Sequence, residues 1–183
     1  QTKDIIDLAF SKKRQDDRKE WLSNYQMNAN FDKFDQKTTY KSFMDNEYIE
    51  FSMDDNVRSI PSVVDGLKPS QRKILYTLGK LNKGEMNVGE VFGHVKAIAE
   101  YHHGPQSLEQ GIISLAQDYV GSNNISLLEP LGSFGSRLSG GKDAAAARYI
   151  YTQLRDITKD IFMKEDNNIL NYLEVDGKVV EPE

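Results

Sequence analysis

An arginine followed directly by a tyrosine, Arg148-Tyr149, lies within the stretch GGKDAAAARYIYTQL. A phenol can attack phosphorus, and a neighbouring guanidinium can hold two phosphate oxygens at once, so the pair suits phosphodiester chemistry. The dipeptide is also a common surface or core feature, and its company decides between the readings. Upstream, RSIPSVVDGLKPSQRK sets Arg58, Lys68, Arg72 and Lys73 around a turn stiffened by proline and glycine that leads into a helix. A helix N-terminus preceded by cations is a seat for phosphate, and Asp65 among them would orient the cations by pairing. A solvated charged turn is the plainer alternative.

Two further motifs bear on the same chemistry. GSRLSGGK approaches a nucleotide-binding P-loop and misses it: Ser136 stands where the first glycine is required, and Asp143 where Ser or Thr should follow the lysine. Nucleotide binding is therefore rejected there. The loop can still carry Arg137 and Lys142 to a phosphate backbone, or be a solvated turn. Tyr101-His102-His103-Gly104 offers adjacent histidines, which point in different directions on any regular element and so do not share a metal ion. One imidazole could serve a phosphate or a water; a packed or capping histidine is the commoner role.

The elements that must position these residues follow from apolar spacing. Pro69 can open a helix carrying Ile74, Leu75, Leu78 and Leu81 on one face, and Val88, Val91, Val95 and Ile98 mark a second helix ending near Tyr101. Two helices and a short turn form a helix-turn-helix layout, whose second helix can enter a major groove. Ser107 with Gln110 reads as a capping box for a third helix, with Leu108, Ile112, Ile113, Leu115, Ala116, Tyr119 and Val120 as its apolar face. Five glycines within 121–143 argue for loops and short strands. A last helix is expected near 152–163, with Leu154, Ile157, Ile161 and Phe162 inward. Residues 26–46 read as a linker or meandering loop, and IEFSM (49–53) as a strand.

Composition bounds the partners. The 183 residues carry a net charge of −5 and no cysteine, so disulfides and thiolate metal sites are excluded and an intracellular setting is expected. The charge is uneven: residues 58–159 hold 12 Lys and Arg against 9 Asp and Glu, while 160–183 hold 2 against 7. Local patches of this kind, rather than the total, set the field a polyanion meets. No apolar run is long enough to span a bilayer, and the N-terminus has no signal-peptide pattern. The opening, without a methionine, reads as a piece of something longer.

Taken together, RSIPSVVDGLKPSQRKILY, YHHGPQSLEQGIISLAQDYVGSNNISLLEPLGSFGSR and GGKDAAAARYIYT closely resemble eukaryotic-type (type IIA) DNA topoisomerase II. The opening DLAFSKKRQDDRKEWL is similar to the end of that family's TOPRIM domain. The resemblance implies an α+β, mainly helical fold: a winged-helix (helix-turn-helix) domain with a short C-terminal remnant of a TOPRIM domain. It implies residues 1–25 as TOPRIM end, 26–48 as linker, 49–163 as the winged-helix domain and 164–183 as the start of a tower. It implies Tyr149 as the nucleophile that becomes joined to a DNA 5′ end, with Arg148 assisting. Arg58, Lys68, Arg72 and His103, with Arg137 and Lys142 of the loop, would contact DNA or support the reacting phosphate, and Asp65 would orient them. Double-stranded DNA is the implied partner, a homodimer the implied parent assembly, and no membrane is involved. Mg²⁺ and ATP would serve the parent enzyme outside this chain, with none bound here, since no DxD triplet occurs. Location would be nuclear, or a cytoplasmic or viral factory for a viral source. A catalytically silent winged-helix DNA-binding module and a structural or dimerisation module are the other readings.

Overall fold

Two units divide the chain, Gln1–Pro61 and Ser62–Glu183, in the computed structural model, which describes residues 2–25 and 38–182. The first unit is helical. Helices α1 (Thr2–Phe10) and α2 (Gln15–Ser23) are joined by a turn in which Arg18 donates to the carbonyls of Leu8 and Ser11, at 2.9 and 2.7 Å, satisfying acceptors that α1 leaves open at its end. Thr39 then caps α3 (Tyr40–Phe43) by accepting the Ser42 N–H at 3.1 Å. A π-helical turn (Met44–Tyr48) and α4 (Ile49–Ser59) continue it without a break. Ile5, Ala9 and Met44 form its core with Leu8, Trp21 and Tyr48 against them, and the Trp21 indole donates to Asp45 at 3.1 Å.

Two expectations are corrected here. IEFSM is helix, not strand, and 40–48 is helical rather than linker. Ile49, Phe51 and Met53 alternate with Glu50 and Ser52, the period of a strand, but over only five residues. The helix nucleated at Thr39 meets no glycine or proline before Pro61 and propagates through it. Residues 26–37, most of the expected linker, lie outside the described residues.

The second unit carries the helix-turn-helix. Pro69 is the first residue of α5 (Pro69–Leu81), the Gln71 side chain accepts the Lys68 N–H at 2.9 Å, and Asn82 in the left-handed region ends the helix. A two-residue strand β1 (Met86–Asn87) leads into α6 (Val88–Ile98), and α7 (Pro105–Ala116) follows. Strands β2 (Leu128–Leu131) and β3 (Tyr151–Leu154) complete an antiparallel sheet in the order β1-β3-β2, with Leu131 opposite Tyr151 and Met86 opposite Thr152. The loop between β2 and β3 is the wing. Ile74, Val88, Val91, Val95, Ile112 and Ile150 form the centre of one core shared by the three helices and the sheet.

Helix α7 begins at Pro105 with Gly104 as its cap, so Ser107 and Gln110 do not form the expected box. It stops at Ala116, which leaves Tyr119 and Val120 outside its apolar face. The expected helix at 152–163 is strand β3 and then α8 (Asp156–Ile161): pairing with β2 overrides the helical spacing, and Ile157, Ile161 and Phe162 are exposed while Thr158 is buried.

The acidic tail belongs to this unit too. After a 3-10 turn (Lys164–Asn168), β4 (Tyr172–Val175) and β5 (Lys178–Pro182) form a hairpin with Val180 fully buried. The Lys73 ammonium bonds the buried Glu181 carboxylate and the Ala99 carbonyl, and Lys178 pairs with Glu100 at 2.7 Å. A buried pair of this kind is costly to break from one side.

Truncating Ile112, which is fully buried in α7, is expected to lower unfolding free energy by about 2–5 kcal/mol. Val64→Ala, on a 91 % exposed side chain, is expected to cost less than about 0.5 kcal/mol. Urea unfolding of the two variants checks the contrast, and equal midpoints would contradict this account of the core.

Candidate active site and nucleic-acid interface

Tyr149 ends a 3-10 turn (Ala147–Tyr149) in which its N–H donates to the Ala146 carbonyl at 2.9 Å. Its side chain is 66 % exposed, and the next residue, Ile150, is 1 % exposed. That contrast fixes the tyrosine. The Ile150 side chain is in the core, and its carbonyl accepts the Val88 N–H at 3.1 Å and the Asn87 side-chain amide at 3.2 Å. Asn87 also caps α6, its other amide atom accepting the Gly89 N–H at 3.0 Å. The start of α6 and the base of Tyr149 are therefore one rigid piece. Gly132 closes it from the other side: at φ +116°, an added Cβ would lie 3.0 Å from Ile150 Cγ2.

The Arg148 guanidinium carbon lies 4.9 Å from the centre of the Tyr149 ring. Among the described residues, Arg148, Arg137 and Lys142 have no ion-pair partner, and all three are exposed. Cations left without carboxylates keep their donors for an incoming anion. A cation beside the phenol also offsets charge that develops on phosphate oxygens during attack.

The wing holds Arg137 and Lys142 on a closed frame. Gln117, buried at the end of α7, donates to the carbonyls of Phe134 and Gly141 at 2.8 and 3.1 Å. Ser136 donates to Asp143 through its N–H (2.8 Å) and its hydroxyl (2.7 Å), and the Gly141 N–H donates to the Ser136 carbonyl at 2.9 Å. Any Cβ at Gly141 would sit 2.4 Å from the Gln117 amide nitrogen, so the position requires glycine. A cleft of about 540 Å³ separates the exposed face of α7 (Gln106, Glu109, Gln110) from Lys142 and the alanine run that ends at Ala147.

The other candidates are placed as follows. Arg72 meets Asp65 in a two-pronged pair, Nε and Nη2 at 2.7 and 2.9 Å, and Nη2 also reaches the Leu67 carbonyl at 3.3 Å. Lys68 is the N-cap of α5 and is half-buried. His103 is exposed, its ring edge-on to the buried Tyr101 ring at 5.4 Å. Arg58 sits on the last turn of α4 in the first unit, paired with Asp55 at 2.8 Å. Sequence reasoning missed Asn87 and Gln117. An asparagine before an apolar-periodic run is a capping signal that could have found the first; Gln117 carries no signal of its own.

Comparison with known proteins gives a consistent result. A family model described as the A-type subunit of DNA gyrase/topoisomerase IV matches residues 58–183, and one described as the C-terminal associated domain of TOPRIM matches residues 1–56. These divisions, like that between the two units, lie ten residues or so beyond the expected 48/49 boundary. DNA topoisomerase 2 of Arabidopsis thaliana is 53 % identical over 180 residues, covering 98 % of this chain and 12 % of that protein. The Saccharomyces cerevisiae DNA topoisomerase 2 is 53 % identical over 182 residues, covering 99 % and 13 %. The crystal structure of the Plasmodium falciparum topoisomerase II DNA-binding, cleavage and re-ligation domain superposes with a TM-score of 0.81 at 48 % identity, covering 100 % of this chain and 25 % of that one. The chain thus spans about an eighth of the length of the curated relatives it matches.

Two carboxylates in the site titrate below their usual range. Burial pushes Asp65 up, but the Arg72 hydrogen bonds and the Leu67 N–H outweigh it. The Ser136 N–H and then its hydroxyl hold Asp143 down. A folded-state pKa below the unfolded one stabilises above the unfolded value, and that stability is lost as pH falls through the folded value. Asp143→Asn is therefore expected to melt below the parent at neutral pH, with the gap closing below about pH 4. Thermal melts across that range test this, and a gap that persists unchanged in acid would contradict it.

Proposed function

The chain belongs to the type IIA DNA topoisomerases, the family of DNA gyrase, topoisomerase IV and DNA topoisomerase 2, and on that premise we propose that it carries the nucleophile half of a DNA breakage-reunion site. The Tyr149 hydroxyl attacks a backbone phosphorus, the bond to the 3′ oxygen breaks, and the released 3′ oxygen takes up a proton. The product is a 5′-phosphotyrosyl link and a free 3′ hydroxyl. The reverse attack reseals the strand, and because the link conserves the phosphodiester energy no ATP is needed for closure. The observation that carries this reading is the exposed Arg148–Tyr149 pair standing on the buried, doubly hydrogen-bonded Ile150.

Arg148 holds the phosphate under attack. Arg58, Lys68, Arg72, His103, Arg137 and Lys142 bind the duplex backbone or support the reacting phosphate, and Asp65 sets the Arg72 fork. The first unit acts as the end of a TOPRIM domain, and 164–183 leads towards the tower. In the parent enzyme, an ATP-hydrolysing homodimeric isomerase of the nucleus or of a viral factory, one duplex passes through a transient break in another.

Mg²⁺ and ATP do not fit the residues present. Among the described residues no three His, Asp or Glu side chains stand together to hold a metal ion, and the glycine loop that comes nearest to a phosphate cradle spends its backbone on itself. In this reading both ligands are held by other segments of the parent enzyme.

Tyr149→Phe, in a topoisomerase 2 in which this segment replaces its counterpart, is expected to reduce covalent protein–DNA adducts and relaxation to background. Arg148→Ala is expected to slow cleavage by about 10²–10³-fold. Adducts that survive Tyr149→Phe would remove the nucleophile assignment and leave a non-catalytic winged-helix module. The 183-residue chain alone is expected to bind duplex DNA weakly and not to nick it with Mg²⁺; robust nicking would contradict the half-site reading.

A further inference from the structure

Leu138, at the tip of the wing, is 97 % exposed. A large apolar side chain on a floppy loop can fold back onto the protein; this one cannot. The Gly140 and Lys142 N–H groups donate to the Arg137 and Ser139 carbonyls at 3.2 Å each, and the Gln117 and Ser136–Asp143 contacts clamp the base of the same loop. The leucine is held in water by a frame whose three positive-φ positions, 135, 140 and 141, are all glycine.

We propose that Leu138 is an apolar wedge that the wing presses into the minor groove of bound duplex, opening one base step; this rests on the duplex-binding reading above. Arg137 and Lys142 flank it without ion-pair partners among the described residues, so they can reach the phosphates on either border of a narrow groove. The rest of the tip is serine and glycine, slim enough to enter and without an amide or carboxylate to read major-groove edges. The one nearby carboxylate, Asp143, is occupied by Ser136. Apolar side chains that enter the minor groove partly unstack a step and kink the duplex, with flexible pyrimidine–purine steps yielding most easily.

The test uses the 183-residue chain at low salt with duplexes carrying 2-aminopurine at successive positions. Binding is expected to brighten the probe at one or two steps. Leu138→Ala should abolish the brightening and weaken binding about five- to tenfold, with the salt dependence unchanged and the melting temperature unmoved, since the side chain touches nothing in the fold. Leu138→Met should restore both. Lys142→Ala should instead weaken binding and reduce the salt slope by about one unit. If the parent chain binds without brightening any step, or Leu138→Ala binds and brightens like the parent, the wedge is overturned while duplex binding stands. If the parent chain does not bind duplex at low salt, both readings fall.

Discussion

The Ile150 carbonyl accepts two hydrogen bonds from the residues that begin α6, while the Ile150 side chain is sealed among core residues contributed by three helices. Tyr149 is covalently next to that anchor, so an exposed phenol inherits the rigidity of the interior. A nucleophile must meet phosphorus within a fraction of an ångström, and a side chain on a free loop would lose much of that advantage. The helix-turn-helix packing, the three-stranded sheet and the close approach of Gly132 all bear on the position of Tyr149 through this one residue.

Charge is distributed on the same logic. The chain is acidic overall, yet several carboxylates around the helix-turn-helix are committed: Asp65 to Arg72, Glu181 to Lys73, Glu100 to Lys178, and Asp143 to Ser136. The cations of the first three pairs, Arg72, Lys73 and Lys178, stabilise the scaffold. Arg137, Lys142 and Arg148, exposed and without ion-pair partners among the described residues, are local cations that the net charge conceals. Coupling the acidic tail to α5 through Lys73 also keeps its negative charge engaged with the scaffold.

Much of this was legible in the sequence where local rules and tertiary packing agree. Pro69 opened α5 because its missing N–H is harmless there, and the valines of α6 kept helical spacing. The Asp65–Arg72 pairing followed from opposite charges around one stiff turn. Reading failed where partners far along the chain decide. Leu154 sits at helical spacing with Ile157 and Ile161, yet pairing with β2 makes Leu154 strand, and the two isoleucines lie exposed on α8. IEFSM alternates apolar and polar residues as a strand would, yet the helix entering from Thr39 claims it. Gln117 was invisible because its role exists only once the wing has folded against the end of α7.

The central claim is that one tyrosine of nine, held by the Ile150 anchor, forms the bond to DNA. The direct measurement is mass spectrometry of the covalent complex trapped in a topoisomerase 2 carrying this segment, after nuclease and protease digestion. The account predicts the nucleotide remnant on Tyr149 and on no other tyrosine. A remnant on Tyr151, its partly exposed neighbour on β3, or on a residue outside this segment would contradict it.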